Sequence, residues 1–198
     1  MITLCAMCYV LCAMCYVEGN MPRLFTAIEV SSDVGHELNK LFSKTEQIPV
    51  QTVKHITLRF IGNVTEAEAS AIELELISVN VKPFNLMLTG CQFFKSRGAK
   101  VIFVTSVMQT EALTELHQLI SRVLLHRGIK VEERKFVPHI TLARINRPSE
   151  ALIDLLLEKG KRVSTELSVT GFVLYCSELE PRPSYIKRRE YIFTKLNT

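Results

Sequence analysis

The tetrapeptide HITL stands at residues 55–58 and again at residues 139–142. Each copy lies in an apolar, β-branched stretch that predicts a strand: HITLRFIG at 55–62 and PHITLAR at 138–144. Because the side chains of a strand alternate between its faces, the histidine and threonine of each copy share one face, and the isoleucine and leucine share the other. Each copy therefore predicts a strand anchored in the core that presents an imidazole and a hydroxyl to one side.

Two such strands, placed as pseudo-symmetric partners, would bring His55 and Thr57 opposite His139 and Thr141 across one cleft. One neutral imidazole can then take a proton from an attacking water, while a second, protonated one gives a proton to the departing oxygen. The hydroxyls can donate hydrogen bonds to phosphate oxygens, where charge accumulates in the transition state. The repeat predicts phosphodiester chemistry without a metal, whereas a lone histidine would favour a local hydrogen-bond network.

From residue 21 onward, strand-like and helix-like stretches alternate without a flexible linker. Apolar and β-branched stretches predict strands at about 23–30, 53–61, 84–94, 100–107, 138–145, 165–177 and 185–196. Caps and helical periodicity predict helices at about 33–46, 65–79, 111–126 and 149–158. Because strands often follow strands without a helix between them, this order predicts an α+β domain with largely antiparallel pairing.

The composition is that of a globular protein. The chain has 198 residues, 47% hydrophobic and 22% charged, which excludes disordered, collagen-like and low-complexity classes. Its net charge of +4 is unevenly distributed: residues 21–120 contain nine Lys/Arg against ten Asp/Glu, and residues 121–198 contain fifteen against nine. The basic C-terminal part favours an anionic partner such as a phosphate or an RNA strand.

The first twenty residues hold four of the six cysteines, because LCAMCYV at 4–10 is repeated unchanged at 11–17. Two CxxC pairs are typical of a zinc or iron–sulfur site, but the gap between them is short for a zinc loop. The stretch lacks the basic start of a signal peptide and the length and basic flanks of a transmembrane helix. We interpret residues 1–20 as an extension from a duplication, upstream translation or cloning, and we place the domain at 21–198.

The chain resembles the two-histidine (2H) phosphoesterase superfamily, which is defined by two HxTx motifs on a bilobal scaffold. Within it, the chain is most similar to the RNA 2′,3′-cyclic phosphodiesterases, also called 2′-5′ RNA ligases (LigT-like). The likeness spans 21–198 and is carried, in the family's order, by RLFTAIEV at 23–30, the two HITL segments, and FVLYCSELEPRPSYIKRREY at 172–191. The resemblance implies a pseudo-symmetric α+β fold with two mainly antiparallel sheets, flanking helices and a central cleft.

The resemblance also implies an activity, namely hydrolysis of RNA 2′,3′-cyclic phosphate ends to 2′-phosphates, with reversible ligation to a 2′-5′ linkage. Carried over by position, the catalytic residues are His55, Thr57, His139 and Thr141. The family usually gives the first histidine the general-acid role and the second the general-base role, a division that the residues themselves leave open. No metal or cofactor is implied. The expected partners are RNA ends, tRNA fragments and nucleotides, and we expect a cytoplasmic monomer that does not bind membranes.

Two arginines are candidates for holding the phosphate. Strand alternation places Arg59 on the face of His55 and Thr57. The family pattern instead has an arginine five residues after the second motif histidine, which is Arg144 here. In a regular strand Arg144 would point away from His139, so it can reach the phosphate only if the strand ends or bulges before it. We favour Arg144.

Phe60, Phe136 and Tyr185 are candidates for stacking on an RNA base. Phe60 belongs to the family pattern, but alternation places it opposite His55, which equally favours core packing. Phe136 precedes the second motif, and Tyr185 follows a Pro-rich stretch that stands where the family often has glycine. His117 lies in a predicted helix, outside any repeat, and is expected at the surface. The basic run at 187–189 either tracks an RNA backbone or ends a solvated strand.

Three other functions stay open at this point. A different 2H enzyme would act on small cyclic nucleotides, and a nucleotide- or RNA-binding module would keep the fold with little turnover. A metal- or redox-binding protein would use the cysteines of residues 1–20, and would contain stoichiometric zinc or iron. The two intact histidine motifs favour an enzyme over either binding protein.

Overall fold

The computed structural model describes residues 21–42, 54–96, 100–130, 135–178 and 184–194. The predicted extension at 1–20 lies outside these ranges. Within them the helices are α1 (Ser32–Phe42), α2 (Glu66–Glu75), α3 (Glu111–His126) and α4 (Glu150–Gly160), and a 3₁₀ turn at Leu76–Ser78 follows α2. The strands are β1 (Arg23–Glu29), β2 (His55–Asn63), β3 (Phe84–Ser96), β4 (Lys100–Val107), β5 (His139–Asn146), β6 (Ser164–Val169), β7 (Gly171–Glu178) and β8 (Ser184–Ile192). No helix of the described ranges is long and apolar enough to cross a bilayer.

All these strands form one sheet in the order β6-β3-β4-β5-β2-β1-β7-β8, with antiparallel neighbours throughout. The sheet has two four-stranded halves, which join where β2 pairs with β5 through Ile56 and Ile140. We expected two sheets, and this pairing makes them one. Because Ile56 and Ile140 are the second residues of the two HITL motifs, the junction relates the motifs by a pseudo-two-fold axis.

The stretch at 165–177, predicted as one strand, is two strands, β6 and β7, separated by Thr170. They lie six places apart in the sheet order, which in a flat sheet is about 29 Å at a strand spacing of about 4.8 Å. One residue cannot span that distance, so the sheet curves until its halves approach at this end. Gly171 permits the close approach of β7 to β8, because a Cβ atom there would lie 2.3 Å from the Tyr191 carbonyl oxygen.

The main core lies between the helices and the sheet. Buried residues of all four helices, such as Leu38, Ile72, Leu116 and Leu156, belong to one apolar cluster with the isoleucine and leucine of both HITL motifs. A second, smaller cluster contains Phe25, Ala27, Val173 and Tyr175, with Tyr185 packed against it. The isoleucine and leucine of each motif therefore anchor its strand in the main core, and they leave the histidine and threonine to the opposite side.

Two residues of the basic run at 187–189 form ion pairs within the fold. Arg188 donates two hydrogen bonds to the Glu66 carboxylate, at 2.9 and 3.0 Å, and one to Glu73 at 2.6 Å. Its side chain is only 6% exposed. Lys187 forms an ion pair with Glu29 at 2.6 Å. Arg188 therefore links β8 to α2, and its guanidinium is not available to bind an RNA backbone.

Candidate active site

A cavity of about 360 Å³ lies beside the junction of β2 and β5. Both motif histidines and both motif threonines line it: His55, Thr57, His139 and Thr141. Arg23 and Arg144 also line the cavity, and none of the described residues that line it is acidic. Four side chains that come from distant parts of the sequence thus meet in one basic pocket, and this charge suits an anionic ligand.

Both motif strands bulge at the leucine of HITL. On β2, Thr57 pairs with Ala27 and Arg59 with Thr26, so Leu58 is an extra residue between successive pairs. On β5, Thr141 pairs with Val104 and Ala143 with Phe103, so Leu142 is the extra residue. A bulge reverses the alternation of the side chains that follow it. The two motifs therefore share their backbone irregularity as well as their sequence.

The bulges decide which neighbouring side chains reach the cavity. Phe60 and Arg144, each five residues after its motif histidine, line the cavity together with the histidines. Arg59 does not line it, and its Nε instead donates a 2.7 Å hydrogen bond to Ser121 Oγ on α3. Simple alternation was wrong for all three residues: Phe60 is 54% exposed rather than in the core, and Arg144 takes the place expected of Arg59.

His55 sits among aromatic rings. Its imidazole lies 4.9 Å from the Tyr185 ring, edge to face, and 5.2 Å from the Phe25 ring. Its Nδ1 atom is buried without a hydrogen-bond partner among the described residues. Burial, followed by the charges of Arg144 and His139, lowers the pKa of His55 to about 4. His55 is therefore a neutral imidazole at neutral pH.

His139 is oriented by its own backbone. Its Nδ1 lies 2.8 Å from the Val137 carbonyl oxygen, and because a carbonyl only accepts, Nδ1 carries the hydrogen of this bond. The neutral ring then has its lone pair on Nε2. Phe94 meets the His139 ring edge to face, with 5.4 Å between the ring centroids. The tautomer of His139 is thus set by a contact two residues away in the chain.

Phe136 does not line the cavity. It lines a neighbouring groove of about 450 Å³, which we call the flanking groove, together with Phe94, His117 and Lys135. His117 was expected at the surface, but it is 8% exposed and stacks on Phe136 with 4.0 Å between the ring centroids. A single helical histidine gave no sequence signal for this stacking. Burial, followed by the charge of Arg59, lowers the pKa of His117 to about 4.

The two buried histidines predict acid sensitivity. Since their pKa values in the folded protein lie below the ordinary value of about 6.5, unfolding takes up protons as the pH falls. Their contribution to stability is present above pH 6.5 and is lost between pH 6.5 and 4. We expect the melting temperature to fall across this range. In His117→Gln, the free energy of unfolding should fall by on the order of 2 kcal/mol less than in the wild type over the same pH range.

The control for this prediction is His36→Gln, because His36 is exposed on α1. Thermal unfolding followed by circular dichroism from pH 7.5 to 4 gives the comparison. Equal pH slopes in the wild type, His117→Gln and His36→Gln proteins would contradict the placement of His117.

The sequence did not single out several side chains at the site. Phe25 stacks on Tyr175 beside His55, and Arg23 and Ser177 line the cavity. These residues lie in strands that the sequence did predict, but in apolar or mixed stretches with nothing to mark them as part of a site. Among the described residues, no group of three or more His, Cys, Asp or Glu side chains is arranged to hold a metal ion.

Comparison with known proteins identifies the family of this chain. The profile of the 2′-5′ RNA ligase superfamily matches residues 37–178. An RNA 2′,3′-cyclic phosphodiesterase of Geobacillus stearothermophilus is 30% identical over 169 residues, which cover 81% of this chain and 54% of that protein, so the chain spans about half its length. An RNA 2′,3′-cyclic phosphodiesterase of Aeropyrum pernix is 36% identical over 120 residues, which cover 57% of this chain and 68% of that protein.

Among solved structures, Escherichia coli LigT complexed with 3′-AMP superposes with a TM-score of 0.73. The alignment covers 88% of this chain and 99% of that one, at 23% sequence identity. At this identity the superposition shows the fold, and it agrees with the α+β architecture expected from the sequence. Antiparallel strands with flanking helices are common to both.

Proposed function

The chain belongs to the 2′-5′ RNA ligase superfamily, and on that basis we propose that it opens RNA 2′,3′-cyclic phosphate ends by hydrolysis to 2′-phosphates. The observation that carries the proposal is the meeting of both HITL histidines, both threonines and Arg144 in one basic cavity. This arrangement offers two proton-transfer groups and three donors around a single anion. The activity in the names of the curated relatives supports the same reaction.

His139 is assigned the general-base role. Its Nδ1–H is held by the Val137 carbonyl, which leaves the Nε2 lone pair to accept a proton from the attacking water. The same backbone bond keeps the ring in place while Nε2 takes up the proton, because Nδ1 donates in both protonation states. When the 5′-hydroxyl of a second RNA end takes the place of water, the same attack and the same loss of the 3′-oxygen give a 2′-5′ linkage, and the reverse of this ligation re-forms the cyclic phosphate.

His55 is assigned the general-acid role, protonating the 3′-oxygen as its bond to phosphorus breaks. Burial, followed by the charges of Arg144 and His139, lowers the pKa of His55 to about 4 and leaves it neutral at neutral pH. A bound phosphodiester brings a negative charge that offsets both and raises the pKa of His55. We therefore expect substrate binding to favour the protonated imidazole that a general acid requires.

Thr57, Thr141 and Arg144 are assigned to the non-bridging phosphate oxygens. Hydroxyl and guanidinium donors aimed at these oxygens stabilise the charge that builds up in the transition state. The bulge at Leu142 brings Arg144 to the cavity wall, which supports this assignment. No step of this scheme requires a metal ion.

The direct assay uses a short RNA that ends in a 2′,3′-cyclic phosphate. We expect the purified protein to convert it to a phosphomonoester that alkaline phosphatase can remove, and we expect an RNA with a 3′-phosphate end to be unchanged before phosphatase treatment. Excess EDTA should leave the rate unaltered. A cyclic end that survives incubation would reject the proposed function.

Arg144→Ala should lower kcat/KM for adenosine 2′,3′-cyclic phosphate by roughly 10- to 100-fold, the effect of losing a charge-assisted hydrogen bond of about 1.5–3 kcal/mol. Arg59→Ala is the matched comparison, since Arg59 lies four residues after its motif histidine but bonds to Ser121. It should lower kcat/KM much less. A larger loss in Arg59→Ala than in Arg144→Ala would contradict the bulged register.

A further inference from the structure

The flanking groove adjoins the catalytic cavity. Thr57, Phe60 and His139 line both spaces, so a ligand held at these residues lies next to the groove. The groove, at about 450 Å³, is larger than the cavity, at about 360 Å³. Pockets of this size hold small organic ligands.

The lining of the flanking groove matches single-stranded RNA. Phe94, Phe136 and His117 supply ring faces and edges. Lys135 and Arg59 supply cations, and within the described ranges no acidic residue lines the groove. The stacking of Phe136 on His117 at 4.0 Å fixes the two rings as one rigid surface. With its pKa lowered to about 4, His117 is neutral, so this surface is aromatic rather than charged at neutral pH. Unpaired bases stack on such surfaces, and nearby cations hold their phosphates.

We propose that the flanking groove binds the nucleotide directly 5′ of the terminal cyclic-phosphate nucleotide, with its base on the Phe136–His117 surface and its linking phosphate near Lys135. This proposal rests on the proposed function. It predicts that the enzyme prefers an oligonucleotide end over a cyclic mononucleotide as its substrate. The preference comes from the second nucleotide, because both substrates present the same cyclic phosphate to the histidines.

The test compares adenosine 2′,3′-cyclic phosphate with the dinucleotide that carries one further adenosine on its 5′ side. Stacking of one base predicts a kcat/KM for the dinucleotide roughly 5- to 100-fold higher in the wild type. Phe136→Ala should remove most of this preference and leave only the part that Lys135 contributes. Phe136→Tyr, which keeps the ring, should preserve most of the preference.

Lys135→Ala provides a second variant that does not touch the core, because Lys135 is exposed. It should lower the dinucleotide-to-mononucleotide ratio and reduce the slope of log kcat/KM against log salt for the dinucleotide by roughly 0.7. Lys82→Ala is the matched control, since Lys82 is exposed and lines neither the cavity nor the groove.

The outcomes separate the subsite from the reaction. Equal kcat/KM for the two substrates in the wild type would overturn the subsite while leaving the hydrolase intact, as would a preference that survives both Phe136→Ala and Lys135→Ala. If neither substrate is opened, the proposed function fails, and the subsite fails with it. A preference lost in either variant but kept in Lys82→Ala supports the subsite.

Discussion

His55→Ala and His139→Ala are each expected to slow the opening of a 2′,3′-cyclic phosphate by about 10²–10⁴-fold, the usual contribution of one general acid or base. The loss should appear in kcat, because proton transfer occurs in the transition state, while KM changes little. Single-turnover rates with enzyme in excess over RNA measure the chemical step directly.

The double variant sharpens this result. Because the two histidines act on the same phosphorus, their effects should be less than multiplicative, and His55→Ala/His139→Ala should be only slightly slower than the slower single variant. His36→Ala, at an exposed position on α1, is the matched control and should retain the wild-type rate. A wild-type rate in either motif variant would show that its histidine takes no part in the reaction.

Arg188→Ala is expected to lower the free energy of unfolding by about 3–5 kcal/mol, the cost of breaking a buried ion pair from one side. Arg188 is 6% exposed and bonds to Glu66 and Glu73, so its removal leaves two carboxylates without their partner. Although burial acts to lower the pKa of Arg188, these hydrogen bonds raise it above its usual value. Urea unfolding followed by circular dichroism measures the loss.

The adjacent residue gives the control for this experiment. Arg189 is exposed, and its guanidinium lies 5.9 Å from the centre of the Tyr191 ring, a cation–π contact worth about 0.5–1 kcal/mol. Arg189→Ala should therefore cost far less stability than Arg188→Ala. Adding Glu66→Gln and Glu73→Gln to the Arg188 variant should restore part of its stability, since no unpaired charge then remains. Equal losses in the two arginine variants would contradict the buried ion pair.

Much of the fold could be predicted because its elements have strong local signals. Helix α3 spans the predicted residues, and strand β4 does as well. The capping box at Thr65 is present in the structure: the Thr65 side chain accepts from the Glu68 amide, and Glu68 accepts from Thr65. Such contacts lie within a few residues of one another, so the sequence around them contains all the information needed.

The parts that were missed depend on distant contacts. The split of 165–177 into β6 and β7 follows from pairing with strands far apart in the sheet, which a continuous β-branched stretch does not reveal. The bulges at Leu58 and Leu142 likewise appear only in the register with β1 and β4. They reversed the expected faces of Arg59, Phe60 and Arg144. A family pattern anticipated Arg144 where ideal alternation could not.

We propose that two HITL histidines and one arginine open an RNA cyclic phosphate without a metal. Phosphorus-31 NMR of an RNA 2′,3′-cyclic phosphate, incubated with the protein in excess EDTA, tests it most directly, because the product resonance identifies the broken bond. We predict that the wild-type protein replaces the cyclic-phosphate resonance by that of a 2′-phosphomonoester. With the His55→Ala/His139→Ala protein, the cyclic-phosphate resonance should persist. A 3′-phosphate product, or loss of turnover in EDTA, would contradict the claim.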